Sequence, residues 1–200
     1  SIPAGKPFSN ICEFAQELAS APLVHQPGEK WTYGVGMDLL GCIIEKVSGM
    51  TFGNFMKENI FDPLGMKDTS FAVPESEINR FTSMYTHKGA SVGDIQREFN
   101  DEIFPDDLIL MDSYEESPYL KTNKVEDGGS GLISTAEDYL KFGQMLNDRG
   151  TFRGKTILSE DAFTMLSESY IENFGLLGVV SLGMGQAICM AKITNPAFSQ

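Results

Sequence analysis

Apolar residues recur with helical spacing in five places along this chain. Met37, Leu40, Ile43, Ile44 and Val47 follow an i, i+3, i+4 rhythm on one face, and Gly49 stands ready to end that helix. Asn10 with Glu13 forms a capping pattern ahead of Phe14, Leu18 and Ala21, which predicts a short helix ending before Pro22. Thr51 opens a third helix through Phe55 and Ile60, stopped at Pro63-Leu64-Gly65. Ser134-Thr135-Ala136-Glu137 reads as a capping box for a fourth, with Leu140, Phe142, Met145 and Leu146 on its buried side and an end near Gly150. Ser159 caps a fifth through Phe163 and Leu166. Thr151 to Leu158 suits a tight turn with a short strand. Phe174 to Met190 is Gly-rich, alternates Val, Leu, Met and Ile, and reads as one or two strands. Residues 68–127 break into polar, acidic, Pro-interrupted pieces without a sustained period, as a decorated surface or a substrate-facing region does. The pattern predicts a mostly helical chain with strands only near its end.

Composition narrows the function classes. With 42% apolar and 22% charged residues in 200, the chain has material for a core and is not disordered. No apolar run approaches the roughly 18 residues of a membrane-spanning helix, and no basic-then-apolar start reads as a signal peptide. The formal charge of −13 and the lack of any Lys/Arg cluster argue against nucleic acid and anionic lipid as partners. Acidic residues crowd between Asp94 and Asp127, opposed only by Arg97, Lys121 and Lys124. A solvated surface accounts for them; a site for cationic ligands or Ca²⁺ is the sharper alternative, and no EF-hand spacing supports it. Cys12, Cys42 and Cys189 are odd in number and widely spaced, which argues against a disulfide framework or a zinc site. Cys12 and Cys42 fall inside apolar helical patterns and read as core thiols. The compartment stays open, and no metal or cofactor motif is present.

Most catalytic constellations fail on residue types. A Ser-His-Asp triad needs a histidine base, and only His25 and His87 exist. Gly128-Gly129-Ser130-Gly131-Leu132 resembles a nucleophile elbow, but Leu132 stands where its last glycine belongs, so it reads as a glycine turn feeding the next helix cap. Phosphate and dinucleotide loops are absent, and His87-Lys88-Gly89 reads as an incidental H-x-G in a polar loop. Pro27-Gly28-Glu29-Lys30-Trp31-Thr32-Tyr33 differs, because its aromatic pair leads straight into the clearest helix. A Tyr at such a junction lies near the positive end of the helix dipole, which lowers the pKa of an acid. A catalytic tyrosinate needs that push, since a free Tyr titrates at about 10. A packing Tyr beside Trp31 is the alternative the residues leave open.

These residues carry a resemblance. Pro27-Gly28-x-x-Trp31-x-Tyr33 followed by Leu39-Leu40-Gly41-x-Ile43-Ile44-Glu45-x-Val47-Ser48-Gly49 closely resembles the β-lactamase-related serine hydrolases. That family includes class C β-lactamases, DD-peptidases and related esterases. Phe61-x-Pro63-Leu64-Gly65-Met66-x-x-Thr69-x-Phe71 continues the match, and Gly128-Gly129-x-Gly131-Leu132-x-Ser134-Thr135-Ala136-x-Asp138-Tyr139 and Ile157-Leu158-Ser159 follow in the family's order.

The resemblance implies an α+β, β-lactamase/transpeptidase-like fold. Its catalytic cleft is lined by a Ser-x-x-Lys, a Tyr-x-Asn-like motif and a C-terminal strand motif. It implies Tyr33 as general base in two-step acyl transfer on small esters or amides, with Trp31 and Val35 as substrate-binding neighbours and no cofactor. Val35 stands where the lactamases have Asn, which resembles the esterase-like members. No serine here begins Ser-x-x-Lys, and 32 residues precede Tyr33. The expectation is therefore a central part of the domain: a helical subdomain over about 1–170 and partial antiparallel sheet strands over about 171–190, with the nucleophile and the C-terminal strand motif elsewhere. Such a chain alone is expected to be inactive and prone to self-association. A non-catalytic binding or scaffolding member of the same family is the rival reading.

Overall fold

The computed structural model describes residues 8–29, 32, 34–87, 108–121 and 125–168, together with short strand segments between 171 and 193. The chain divides into two compact units, one made of 1–71 with 125–200 and the other of 72–124.

In the larger unit, α1 (Ile11–Leu18) starts as the capping pattern predicts, with Asn10 Oδ1 accepting the Glu13 N–H. α2 (Gly36–Ser48) ends at Gly49, whose φ of 72° is the left-handed conformation that glycine adopts without a Cβ penalty. Thr51 caps α3 (Phe52–Met56) through the Asn54 N–H, and Glu45 Oε1 accepts the Phe52 N–H at 3.0 Å, tying the end of α2 to the start of α3. α3 runs on through a π-helical stretch, Lys57–Phe61, into α4 (Asp62–Leu64). Pro63 has no N–H to give to the preceding turn, and the widened stretch lies directly before it.

α5 (Ala136–Asn147) is capped by Thr135, which accepts the Asp138 N–H; the expected Ser134 cap is displaced by one residue. The Ser134 hydroxyl is engaged with Thr69 Oγ1 at 2.7 Å instead. β3 (Thr151–Phe152) and β4 (Lys155–Thr156) form a hairpin over Arg153-Gly154, both at positive φ. α6 (Glu160–Ser167) follows with Ser159 as its cap. The core of this unit gathers Phe61, Leu64 and Met66 around Met145 and Phe152, with Phe142, Leu146, Ile157 and Leu158 packed against them. Met145 is fully buried, so its truncation to Ala removes packing worth about 2–5 kcal/mol.

Beside that core lies a buried ion pair. Asp138 accepts the Asp68 N–H at 2.7 Å, the Thr69 hydroxyl at 3.1 Å and Lys141 Nζ at 2.8 Å, while Lys141 also donates to the Gly65 carbonyl. Burial pushes the Asp138 carboxyl up. The Lys141 ammonium, the Asp68 N–H and the Thr69 hydroxyl outweigh that and hold it below its ordinary value.

The smaller unit pairs β1 (Met84–His87) with β2 (Leu108–Asp112) antiparallel, His87 opposite Leu108, with a bulge at the Met84 end. Short 3₁₀ turns at Glu75–Arg80 and Pro118–Leu120 complete it. A strand pair in mid-chain departs from the expectation of strands only near the end. Its two segments lie some twenty residues apart, too far for a short turn to announce their pairing. Among its described residues the terminal stretch carries five short strands rather than one or two. They are β5 (Ile171–Glu172), β6 (Gly175–Leu176), β7 (Val179–Val180), β8 (Met184–Ala187) and β9 (Met190–Ile193). β5, β8 and β9 make one antiparallel sheet, and β6 pairs with β7.

Three further expectations are corrected. Cys12 and Cys42 are not separate core thiols: their sulfurs are joined, with Cα atoms 4.8 Å apart. The pairing comes from the packing of α1 on α2, which sequence spacing does not reveal. Leu140 is exposed, because the buried positions of α5 are Asp138 and Met145. Most of the apolar stripe of α2 is also open: Met37, Leu40, Ile43 and Val47 are exposed, and Val47 keeps 84% of its surface. The face turned inward carries Asp38, Gly41, Cys42 and Glu45. Gly41 allows this, since a Cβ there would stand 3.3 Å from the Phe52 ring and 3.6 Å from Ile11.

Candidate active site

Trp31 and Tyr33 lie outside the described residues, so the site is built from what flanks them. Upstream, Gln26-Pro27-Gly28-Glu29 closes a turn in which the Glu29 N–H donates to the Gln26 carbonyl at 3.2 Å. Gly28 takes φ 86°, which proline before it and the absence of a Cβ permit. Glu29 Oε2 accepts the Gln26 N–H in return. His25 spans the loop: Nδ1 lies 3.1 Å from the Gln26 carbonyl and Nε2 2.8 Å from Thr32 Oγ1. A carbonyl only accepts, so Nδ1 carries the proton, and in the neutral ring Nε2 accepts from the Thr32 hydroxyl. The residue immediately before Tyr33 is thereby tied to the loop's origin.

Downstream, Val35 is the N-cap of α2. It is 40% exposed and gives no side-chain cap, so α2 begins without the hydroxyl or carboxamide that usually closes a helix start. Asp38, in the first turn, is buried, and its Oδ1 accepts the Gly129 N–H at 2.9 Å. The Gly128–Ser130 turn is seated on this first turn so closely that a Cβ on Gly128 would overlap the Met37 carbonyl oxygen. The turn is itself braced. Asp127 Oδ1 accepts the Ser130 N–H at 2.7 Å, and Glu126 Oε2 accepts the Gly53 N–H at 2.6 Å. Gly131 has no room for a side chain beside the Asp127 carbonyl and the Phe71 ring. The glycine turn read from the sequence is thus a docking element for α2 and not a nucleophile elbow.

Of the three site residues expected from the sequence, only Val35 is among those described. Asp38 and Glu126 were not singled out, and Gly129 was read only as part of a glycine turn. The available signals were a carboxylate at the third position of an apolar helix and two adjacent glycines ninety residues on. Lys88 and Gly89 of the H-x-G lie outside the described residues, as do 94–107 and 122–124 of the acidic stretch. Among the described residues no group of His, Cys, Asp or Glu is arranged to hold a metal ion, and no helix is long and apolar enough to cross a membrane.

Comparison with known proteins assigns the family. The Beta-lactamase family model matches residues 4–185, and the chain belongs to that family. Protein Rv1367c of Mycobacterium tuberculosis is 29% identical over 188 residues, covering 92% of this chain and 43% of its own length. Esterase EstB of Burkholderia gladioli is 29% identical over 132 residues, covering 66% of this chain and 33% of its own. Among solved structures, EstCE1, a hydrolase with promiscuous acyltransferase activity, superposes with a TM-score of 0.72 at 20% identity, over 99% of this chain and 50% of that one. The fold is therefore the α+β, β-lactamase/transpeptidase-like one. The chain spans about half the length of these relatives or less.

Proposed function

We propose that residues 1–200 are the central part of a serine hydrolase that transfers acyl groups from small esters or amides through an acyl-enzyme, with Tyr33 as general base. The family match across residues 4–185 carries the reading, and the esterase activity named for EstB supports its substrate class. Val35 in place of the lactamases' Asn favours esters over β-lactams.

In the proposed reaction the nucleophilic serine lies in a Ser-x-x-Lys upstream of Ser1. Its hydroxyl proton passes to the Tyr33 phenolate as Oγ attacks the carbonyl carbon, and the alcohol leaves with that proton. Water then attacks the acyl-enzyme by the same route and releases the acid. In this reading the helices form the helical subdomain and β5 to β9 a partial sheet. The open apolar stripe of α2, with Val47 84% exposed, supports it: such a face in a finished domain is covered by further chain. Residues 1–200 alone are inactive on this account and self-associate through that stripe.

The test is hydrolysis of p-nitrophenyl acetate and butyrate by the full-length parent, with a chromogenic cephalosporin beside them. Ester turnover that Tyr33→Phe lowers by about 100-fold or more agrees with the general-base role. Unchanged turnover in that variant removes Tyr33 from the mechanism, and no turnover by the parent on any acyl donor favours a non-catalytic binding member.

A further inference from the structure

We propose that Asp38 is a positioning residue for the acyl-transfer site, acting through its hydrogen bond to the Gly128–Ser130 turn to fix the helix start from which Tyr33 is presented. The inference rests on the reading of Tyr33 as the base. It draws on the junction's geometry, in which Tyr33 stands one residue after the Thr32 tether and five before Asp38.

Between those two anchors, the Val35 carbonyl accepts the Asp38 and Leu39 N–H groups, while the two glycines pack on nothing. Gly34 and Gly36 have open space where a Cβ would be, with no atom within 4 Å. Val35 gives α2 no side-chain cap. Glycines without packing partners leave the chain free to pivot, so the helix start takes its position from whatever holds its first turn. Asp38 supplies that hold: its carboxylate is buried and receives the Gly129 N–H at 2.9 Å. The contact is rigid on the far side too. The turn is locked by Asp127 to Ser130 and, through Glu126, to the first turn of α3. Gly128 lies against the Met37 carbonyl with no room for a methyl group, so the turn and the helix fit in one relative placement. A carboxylate near a helix N-terminus also stabilises the helix through its dipole. Asp38 in addition joins that first turn to a segment ninety residues away seated on the same backbone.

Loss of the hold shifts the junction without touching substrate, so the effect falls on kcat. In the full-length parent, Asp38→Ala is expected to lower kcat for p-nitrophenyl acetate by about 10- to 100-fold, the cost of a displacement near 1 Å, with KM changed by less than about three-fold. Asp38→Asn keeps an oxygen for the Gly129 N–H and is expected to restore kcat to within about three-fold of wild type. Gly128→Ala pushes the turn off the helix and is expected to lower kcat likewise. The double variant Asp38→Ala/Gly128→Ala falls no further than the worse single one.

A folded Asp38→Ala with wild-type kcat overturns the proposal. So does a loss in Asp38→Ala that Asp38→Asn leaves uncorrected, or full additivity with Gly128→Ala. If Asp38→Ala does not fold, Gly128→Ala decides, and wild-type kcat there is the overturning result. Tyr33→Phe separates the two layers. If it abolishes turnover while a folded Asp38→Ala is unaffected, the positioning role alone fails. If Tyr33→Phe leaves kcat intact, the base assignment fails first. In the Tyr33→Phe background, Asp38→Ala is expected to change residual kcat by less than about two-fold; a full-sized further loss shows that Asp38 works through something other than Tyr33.

Discussion

Asp138 gathers three donors on one buried carboxylate in the larger unit, and replacing it tests what that polar order is worth. Three donors converge on its buried carboxylate at 2.7, 2.8 and 3.1 Å, joining the 65–69 segment to α5. A hydrogen bond to a charged group contributes about 1.5–3 kcal/mol, but two of the donors keep a second acceptor. Thr69 retains Ser134 and Lys141 retains the Gly65 carbonyl. Asp138→Ala is therefore expected to cost about 3 kcal/mol, at the lower edge for breaking a buried pair. Asp138→Asn, which keeps one acceptor oxygen, costs about half as much.

The pH dependence has a definite sign. The carboxyl's folded pKa is depressed, so its contribution is fully present above the unfolded value of about 3.9 and is lost as pH falls through the lower folded value. Urea unfolding followed by far-UV circular dichroism at pH 7 gives the magnitude, and a series down to pH 3 gives the trend. An Asp138→Ala loss under about 1 kcal/mol refutes the reasoning, as does a wild-type-to-Asn difference that grows on acidification.

The other outcomes concern backbone and covalent detail. Cys12–Cys42 closes a 30-residue separation, so its reduction is expected to lower stability by roughly 3–4 kcal/mol. Thiol titration of the denatured, unreduced chain should count two fewer thiols than after reduction. Arg153 sits at φ 47° ahead of Gly154 in the two-residue β3–β4 turn, where Asn-Gly is preferred. Arg153→Asn is expected to raise stability by about 0.5 kcal/mol, after loss of the Arg153 contact with the Phe152 ring, and differential scanning calorimetry reads it as a higher Tm. Gly131→Ala forces a methyl group against the Asp127 carbonyl and the Phe71 ring and should cost about 2 kcal/mol or more in urea unfolding. Gly36→Ala, in open space on α2, should cost nothing.

What was legible in the sequence is what local chemistry decides. Asn10, Thr51 and Ser159 cap the helices their side chains announced, and Gly49 and Gly65 end helices in the left-handed conformation their positions required. The glycine turn at 128–131 was legible as a turn. Its partner was not, because a Gly128-to-Met37 approach is a long-range packing event that leaves only two adjacent glycines as a trace. The Cys12–Cys42 pairing and the β1–β2 ladder failed for the same reason. The α2 stripe failed differently. Periodicity found the helix and its apolar face, but the face that packs within this chain is the one bearing Asp38, Gly41, Cys42 and Glu45, made close by a glycine. At the candidate site, the loop-to-helix junction pointed to Trp31 and Tyr33 and family resemblance gave them and Val35 their roles, while the anchors around them, His25 with Thr32 and Asp38 with Gly129, became visible only in the fold.

The central claim is an acyl-enzyme whose serine lies outside these 200 residues and whose base lies within them. Peptide mapping by mass spectrometry of the full-length parent after a brief reaction with p-nitrophenyl butyrate and an acid quench tests it most directly. The expected result is a single butyryl adduct on the serine of a Ser-x-x-Lys upstream of Ser1, with its accumulation slowed by Tyr33→Phe. A butyryl group on Ser130 or any other serine of residues 1–200, or turnover with no trapped adduct even in deacylation-slowing acid, would contradict it.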